Sequence, residues 1–295
     1  FMALGGNFLS ASPDTERTSK AIENCSMTVQ ISTKLNRSHC IVGQKALILP
    51  CLVRSEEDLQ DNDKQMISTE NSMGVVQGST GIFKPISNYI KSEIEILCQI
   101  SMKLFPERRD TFLGFFKNYD LIRDMIEKVI PGFESYNSKV QTPGGFSLPN
   151  GPKERKFETE SGKAIFTSNE ILYNKYDDDI LILQTLRSHD QFNTTVYGLE
   201  DRYRGIHNDR DIIMMNEKDM ESRSIKPLMK VDIVSSYKGK ERHLKNLKAI
   251  PYKMPRGACA AYFPEANVLV PLDKTAKVSN TPTSKDVPVR ISQSR

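Results

Sequence analysis

The sequence predicts an α/β protein in which a partial parallel sheet is followed by a helical segment and then by a six-stranded β-barrel. The first observation is the order strand, helix, strand, crossover, strand within the first 50 residues, which is typical of a parallel sheet covered on both faces. The second is the change after residue 177 to six short apolar segments, which favours a small closed barrel. The Pro- and Gly-rich stretch 143–152 marks the boundary between the two patterns.

The N-terminal sheet is predicted to contain three strands and one helix. The helix is predicted over 15–24, because Ser12-Pro13-Asp14 supplies a cap and a first-turn proline. The strands are predicted over 1–4, 27–31 and 46–49. Since the first residue, Phe1, already lies in a strand, we expect the chain to begin inside a domain of a larger protein.

Polar loops follow these strands. Ligands of parallel sheets bind beyond the carboxyl ends of the strands, which makes 5–7, 32–39 and 50–51 candidate binding segments. The two glycines would let a ligand approach the backbone, and Asn7 and Lys34 suit the base, ribose or phosphate of a nucleotide. A Gly-Gly-Asn sequence is more often an ordinary turn, and a lone histidine such as His39 is more often structural than catalytic.

The middle of the chain is predicted to be largely helical. Apolar residues recur at helical spacing over 93–104 and 119–129, which indicates two amphipathic helices. The glycine-containing stretch 71–81 is predicted to be extended and rich in turns, and 163–166 to form a short strand. These apolar positions are interpreted as core.

The C-terminal part is predicted to be mainly strands. A helical turn is predicted over 216–221 after a capping asparagine, and the basic segment 238–248 is predicted to be a solvated hairpin or loop. The six strands are predicted over 180–183, 212–215, 231–235, 249–252, 268–270 and 287–291.

Composition excludes several classes of protein. The 41 basic and 37 acidic residues are interspersed, with a net charge of +4, so nucleic acid is not the expected partner. The five cysteines lack Cys-x-x-Cys pairs and histidines at ligand spacing, which predicts reduced thiols of a cytoplasmic protein and no metal site in these residues. No apolar run approaches twenty residues, so no membrane span is expected.

The most polar stretch follows the strand predicted at 180–183. Residues 186–198 read Leu-Arg-Ser-His-Asp-Gln-Phe-Asn-Thr-Thr-Val-Tyr-Gly and have no apolar face to bury. We interpret them as a loop around a polar ligand, in which Arg187 would bind a phosphate or a carbonyl edge. A solvated loop with an Asx turn is the alternative, and composition does not decide between the two.

Two later loops, 262–267 and 279–285, are polar as well. Asn280 and Lys285 would suit contacts to a ring and to a phosphate, whereas an ordinary Ser- and Thr-rich surface turn is the competing interpretation. Each loop is a weak signal when taken by itself.

Taken together, these stretches share their order and their amino-acid sequence with one family. The segments are 5–8 with 12–15, 32–39 with 46–51, 187–198 with 201–205, then 255–257, 262–271 and 279–285. They closely resemble the C-terminal part of formate-dehydrogenase-alpha-like molybdopterin oxidoreductases of the DMSO reductase superfamily. The similarity covers nearly the whole chain, and the run 187–198 is highly specific.

The resemblance implies a fold and a cofactor. It implies that 1–105 is the end of a Rossmann-like dinucleotide-binding region, 106–176 a helical segment and linker, and 177–295 a double-psi β-barrel. The implied cofactor is bis-molybdopterin guanine dinucleotide with molybdenum or tungsten. The residues implied to contact it are Gly5, Gly6, Asn7, Ser32, Lys34, Arg187, Ser188, His189, Asn193, Thr194, Thr195, Asn267, Asn280 and Lys285.

The resemblance also implies an activity. Two electrons would pass between a small substrate, formate by analogy, and an electron carrier or redox subunit. The protein ligand of the metal and any cysteines of a 4Fe-4S cluster would lie upstream of Phe1. No catalytic or metal-binding residue is therefore assigned here, and we expect the 295 residues alone to be inactive.

Two turns depart from the pattern of the family. Residues 216–219 read Asn-Glu-Lys-Asp where Asn-Pro-x-Asp is usual, and 228–229 read Leu-Met where Gly-Asp is usual. Both positions serve turn geometry, so they put local turn shape and stability in doubt rather than cofactor binding.

Two other functions compete with this one. A non-catalytic relative would keep the same fold as a binding or assembly module. A stand-alone nucleotide-dependent enzyme lacks support, because neither Gly-x-Gly-x-x-Gly nor a phosphate-loop motif occurs.

Overall fold

The chain forms two compact units in a computed structural model that describes residues 1–170, 176–194 and 196–294. The first unit combines residues 1–48 with the C-terminal part from 173 onward, and the second comprises 49–172. The domain boundaries predicted at 105 and 176 stay predictions.

The helices lie mostly in the second unit. They are α1 (Phe8–Ala11), α2 (Thr15–Glu23), α3 (Glu93–Leu104), α4 (Arg109–Lys117), α5 (Asp120–Val129), α6 (Tyr136–Val140) and α7 (Glu217–Ser222). The strands are β1 (Met2–Leu4), β2 (Met27–Ser32), β3 (Lys45–Pro50), β4 (Leu59–Gln60), β5 (Asp63–Lys64), β6 (Ile67–Glu70), β7 (Val75–Ser79), β8 (Phe146–Ser147), β9 (Leu181–Leu186), β10 (Ile212–Met215), β11 (Lys230–Tyr237), β12 (Lys240–Pro251), β13 (Ala258–Tyr262) and β14 (Val287–Gln293).

The N-terminal part of the first unit is a three-stranded sheet in the order β1-β2-β3. β1 and β2 are parallel, with Ala3 opposite Gln30. β2 is buried along most of its length, whereas β3 is mostly exposed. The predicted strands and the helix α2 are confirmed, and each ends within a residue or so of its predicted position.

The C-terminal part of the first unit is a closed six-stranded barrel in the order β10-β12-β11-β14-β9-β13, with β13 pairing back onto β10. Its core consists of apolar side chains with almost no exposure, among them Leu183, Ile213 and Ile233. The predicted α/β class with a six-stranded barrel is therefore confirmed.

One of the six strand predictions for the barrel was wrong, and one barrel strand was not predicted. Residues 268–270 do not form a strand, since Glu265–Leu269 is a 3₁₀ helix whose apolar side chains are buried against the barrel core. The barrel strand that was not predicted is β13, whose small alanines pair with β9 and β10. A short buried apolar run does not distinguish a strand from a helical turn, and alanine has a weak strand propensity.

The basic segment 238–248 is confirmed as part of a hairpin, in which Lys238-Gly239 is the turn between the antiparallel strands β11 and β12. Arg242 and Leu247 are buried there, while the lysines face solvent. Residues 163–166, predicted as a strand, have no regular secondary structure.

In the second unit the two predicted helices are confirmed as α3 and α5, and small antiparallel sheets β4-β5 and β6-β7-β8 are present in addition. Its buried polar centre is Tyr119, whose hydroxyl donates to Asp58 Oδ2 at 2.6 Å and lies 2.7 Å from Ser92 Oγ. Burial and the Asp58 carboxylate raise the pKa of Tyr119 well above its usual value. Ser92 also caps α3, so one polar cluster links the start of that helix to the segment before β4.

None of the helices among the described residues is long and apolar enough to cross a membrane. The cysteines are all free thiols, of which Cys51, Cys98 and Cys259 are buried. No group of histidine, cysteine or acidic side chains in the described ranges is arranged to hold a metal ion.

A buried ion pair fastens the N-terminal segment to the barrel within the first unit. Asp14 Oδ2 accepts from Arg242 Nε at 2.8 Å and from Nη2 at 2.6 Å, and both side chains are only 6% exposed. Asp14 precedes α2 in a left-handed conformation, with φ of 49°, and its side chain does not cap the helix. The carboxylate therefore binds Arg242 of the barrel strand β12 instead of capping α2.

We expect Arg242→Met to destabilise this unit by about 3–5 kcal/mol, because it leaves a buried carboxylate without its partner. The measurement is the opening free energy of β11 and β12 by amide hydrogen exchange in the full-length protein. Arg17→Met is the matched control, since the Arg17–Asp273 pair is 47% and 44% exposed and such pairs contribute about 1 kcal/mol or less. Equal effects of the two variants would contradict the expectation.

Candidate functional site

The glycine loop after β1 joins the loop after β2. Gly5 and Gly6 have φ of 62° and 75°, a conformation that favours glycine, and a Cβ at Gly6 would meet nothing within 4 Å. Asn36 Nδ2 donates to Gly6 O at 2.8 Å, and Ser38 Oγ donates to Asn7 Oδ1 at 3.0 Å. The backbone at Gly6 is therefore accessible to a ligand, while hydrogen bonds hold the residues around it in place.

Asn7 and Asn267 have internal partners. Asn7 is 8% exposed and caps α1 by accepting from Ser10 N. Asn267 is 4% exposed, and its Nδ2 donates to Ser10 O at 2.7 Å. Both carboxamides therefore hold the N-terminal segment in place, whichever ligand lies nearby.

Ser32 and Lys34 lie at the end of β2. The Ser32 hydroxyl donates to Lys34 O at 2.7 Å, which closes a small turn. The Lys34 side chain is exposed. Its ammonium is therefore available to an anion at the edge of the sheet.

His39 is held in the same loop. Its Nδ1 accepts from Asn36 N at 3.0 Å, and its Nε2 is buried without a hydrogen-bond partner among the described residues. With Nδ1 as acceptor, neutral His39 carries its proton on Nε2. A buried donor without a partner costs free energy, and an acceptor group of a ligand would relieve that cost.

Two cations lie at the carboxyl end of β9. Lys285 Nζ donates to Thr185 O, and the Arg187 guanidinium lies 5.8 Å from the centre of the Phe263 ring. Burial and the neighbouring Arg187 charge lower the pKa of Lys285. Within the described ranges neither cation forms an ion pair with a carboxylate, so the two together would suit an anionic ligand.

Arg210 organises the loop after β9. Its guanidinium donates to Glu265 Oε1 at 2.7 Å, to Phe263 O at 2.8 Å and to Ser188 Oγ at 3.1 Å. The side chain is 5% exposed and lies between the rings of Tyr197 and Tyr262, 4.5 and 4.6 Å from their centres. It thereby ties Ser188, one of the predicted contact residues, to the loop that follows β13.

The remaining predicted contacts occupy turns. Asn193 has φ of 47°, and its carbonyl accepts from Gln191 Nε2 at 2.8 Å. Thr194 is 7% exposed, whereas Thr195 lies outside the described residues. Asn280 has φ of 54° in an exposed turn and donates its backbone N–H to Ala276 O at 3.0 Å.

His189 lies beside a buried carboxylate that the sequence analysis did not assign to the site. His189 Nδ1 is 2.9 Å from Asp201 Oδ1, and its ring lies 4.7 Å from the Tyr203 ring. Asp201 and Arg210 were missed because most of their partners are distant in sequence, such as Glu265, which is 55 residues from Arg210, and Tyr262, which is 61 residues from Asp201. The charged residues within 201–210 were the only available signal.

A large concavity in the barrel lies elsewhere. It has a volume of about 980 Å³, and its walls include Asp178, Asp219, Arg223 and Arg290. None of the predicted contact residues lines it. Of its arginines, Arg256 and Arg290 are paired with Asp219 and Asp179, and Arg223 donates to the backbone carbonyl of Asp178.

Comparison with known proteins agrees with the barrel and its loops. Residues 181–288 match the family model described as "Molydopterin dinucleotide binding domain". An uncharacterized oxidoreductase of Mycobacterium tuberculosis is 46% identical over 298 residues, and Protein YdeP of Escherichia coli is 36% identical over 299. Both alignments cover 99% of this chain but only 38% and 39% of the relatives.

A solved structure shows the same fold. Acetylene hydratase from Pelobacter acetylenicus superposes with a TM-score of 0.61 at 14% identity, over 99% of this chain and 44% of that one. The family match supports a molybdopterin-type cofactor for the barrel, and the superposition supports the fold alone.

We expect Arg210→Met to loosen the loop after β9. The change leaves the Glu265 carboxylate and several acceptors without their donor, which should lower the local opening free energy by about 3–5 kcal/mol. Hydrogen exchange of the amides of 187–193 in the full-length protein measures this. The control is Arg202→Met, because Arg202 is 67% exposed and lies 3.7 Å from Asp190. Unchanged exchange in Arg210→Met would show that the loop is held by other contacts.

Proposed function

We propose that this chain is the cofactor-binding C-terminal part of a molybdenum or tungsten oxidoreductase that holds bis-molybdopterin guanine dinucleotide. The observation that carries the proposal is the cation pair Arg187 and Lys285, without an acidic partner among the described residues, within the segment that matches the dinucleotide-binding domain. A dinucleotide carries phosphate charges that such a pair would neutralise. Formate is the default substrate by analogy only.

Residues of the N-terminal segment and of the barrel carry chemical groups that suit the proposed cofactor. The exposed backbone at Gly6 and the buried Nε2 of His39 offer a close approach and a hydrogen-bond donor. In the barrel, Arg187 and Lys285 supply positive charge, and Ser188 and His189 supply polar groups held by their neighbours. The other predicted contacts in the turns stay part of the proposal.

The bound metal centre supplies two-electron transfer to or from a small substrate. The residues described here bind and orient the dinucleotides, and the fixed loops limit their movement. The protein ligand of the metal, a possible 4Fe-4S cluster and the contact with an electron carrier are assigned to other parts of the full-length protein. We further propose a cytoplasmic location and domains over 1–105, 106–176 and 177–295.

A non-catalytic binding or assembly module is the second candidate. The two candidates differ in the metal and nucleotide content of the full-length protein, which is longer than this chain by analogy with its relatives. Molybdenum or tungsten with about two guanine nucleotides per chain would favour the enzyme, since that is the composition of the proposed cofactor. Their absence from the folded protein would favour the module.

We expect Lys285→Ala to reduce the guanine nucleotide retained by the purified full-length protein by roughly tenfold, since loss of one charge-assisted contact is worth about 1.5 kcal/mol or more. Acid release and chromatography measure the nucleotide. Lys277→Ala is the matched control, because it removes the same charge from an exposed position nearby in the chain. A full nucleotide content in Lys285→Ala would argue against a phosphate at this position.

A further inference from the structure

The carboxylate of Asp201 is buried and surrounded by donors. It is 2% exposed, and it accepts from His189 Nδ1 at 2.9 Å, from Tyr262 OH at 2.9 Å and from Arg204 Nη1. Burial alone would raise the pKa of Asp201, but these hydrogen bonds outweigh it and the pKa lies below its usual value. Asp201 is therefore ionised at neutral pH and can only accept.

An ionised carboxylate decides the tautomer of its histidine partner. Because Asp201 cannot donate, the 2.9 Å contact requires that His189 Nδ1 carries a hydrogen. Arg204 Nη1 also lies 3.3 Å from Nδ1, a longer contact than the one to Asp201, and it donates to Asp201 Oδ2 and to Arg187 O at 3.0 Å. Neutral His189 thus has its lone pair on Nε2.

The orientation of the ring places Nε2 away from this network. The His189 side chain is 45% exposed and its ring lies against Tyr203, and in the described ranges Nε2 has no hydrogen-bond partner. Arg204 joins Asp201 to the carbonyl of Arg187, so the same carboxylate fixes the chain beside the cation pair. The acceptor nitrogen and the two cations belong to one fixed loop.

We propose that Asp201 is a positioning residue, which fixes the tautomer and orientation of His189 so that Nε2 accepts a hydrogen bond from an O–H or N–H group of the bound dinucleotide. The inference rests on the proposed function. It adds a residue that does not itself touch the ligand but determines what His189 can offer. The Tyr262 hydroxyl also donates to Asp201 but does not contact His189. A mutation can therefore remove the Tyr262–Asp201 hydrogen bond and leave the His189–Asp201 hydrogen bond in place.

The test is a double-mutant cycle in the full-length holoprotein, with guanine nucleotide per chain as the readout. In Asp201→Asn the amide can either donate to or accept from Nδ1, so the tautomer is no longer fixed. We expect Asp201→Asn and His189→Gln each to lower nucleotide content severalfold, and the double variant to hold no less than His189→Gln alone. This non-additivity is what a role exerted through His189 requires.

Two controls separate positioning from general loss of stability. Tyr262→Phe removes another hydrogen bond to Asp201, and we expect a lower Tm with nucleotide content within twofold of wild type. Asp209→Asn changes a carboxylate that accepts from Lys248 at 2.6 Å, and we expect wild-type nucleotide content. If Asp201→Asn does not fold, the nucleotide content of Tyr262→Phe is compared with that of His189→Gln. An equally large loss in Tyr262→Phe overturns the inference, and a nucleotide content close to that of wild type supports it.

Two other outcomes are informative. Losses that multiply in the double variant overturn the inference and leave the proposed function standing, because Asp201 then acts independently of His189. A folded wild-type protein that holds no guanine nucleotide overturns the proposed function, and the inference with it.

Discussion

The geometry of the candidate site depends on the buried ion pair between Asp14 and Arg242. It links the start of α2 to the barrel strand β12 across 228 residues of sequence. Asp14 adopts a left-handed conformation that costs a non-glycine residue roughly 1 kcal/mol, and its carboxylate accepts two hydrogen bonds from Arg242. Beside it, Asp14 N donates to Asn267 O and Asn267 Nδ2 donates to Ser10 O. The glycine loop therefore has a defined position relative to the loop after β13.

A second constraint explains why the polar loops are ordered without regular structure. The loop after β9 is held by two buried charged groups, Arg210 at 188–191 and Asp201 at 187–189. Such groups are costly to bury, and they persist here because several hydrogen bonds satisfy each of them. The loops can then present polar atoms to a ligand with little loss of conformational freedom on binding.

The sequence predicted the elements whose pattern is local. The strand 212–215 is four apolar residues between Asp211 and the capping Asn216, and its bounds were correct. β13 was missed because alanine and cysteine give little strand signal, and its conformation is set by pairing with β9 and β10. The site was predictable as polar loops after strands, but the contacts of Asp201 and Arg210 come from the closed barrel, which no local spacing encodes.

The cation pair shows how the fold and the ligand are linked. Arg187 and Lys285 repel each other, and partial burial adds to the cost, which is why the pKa of Lys285 is lowered. The position of the Lys285 ammonium is fixed by its hydrogen bond to the carbonyl of Thr185 in β9, which is held between β13 and β14. In the proposed function, a bound anion would offset this repulsion, and the offset would add to the affinity for the ligand.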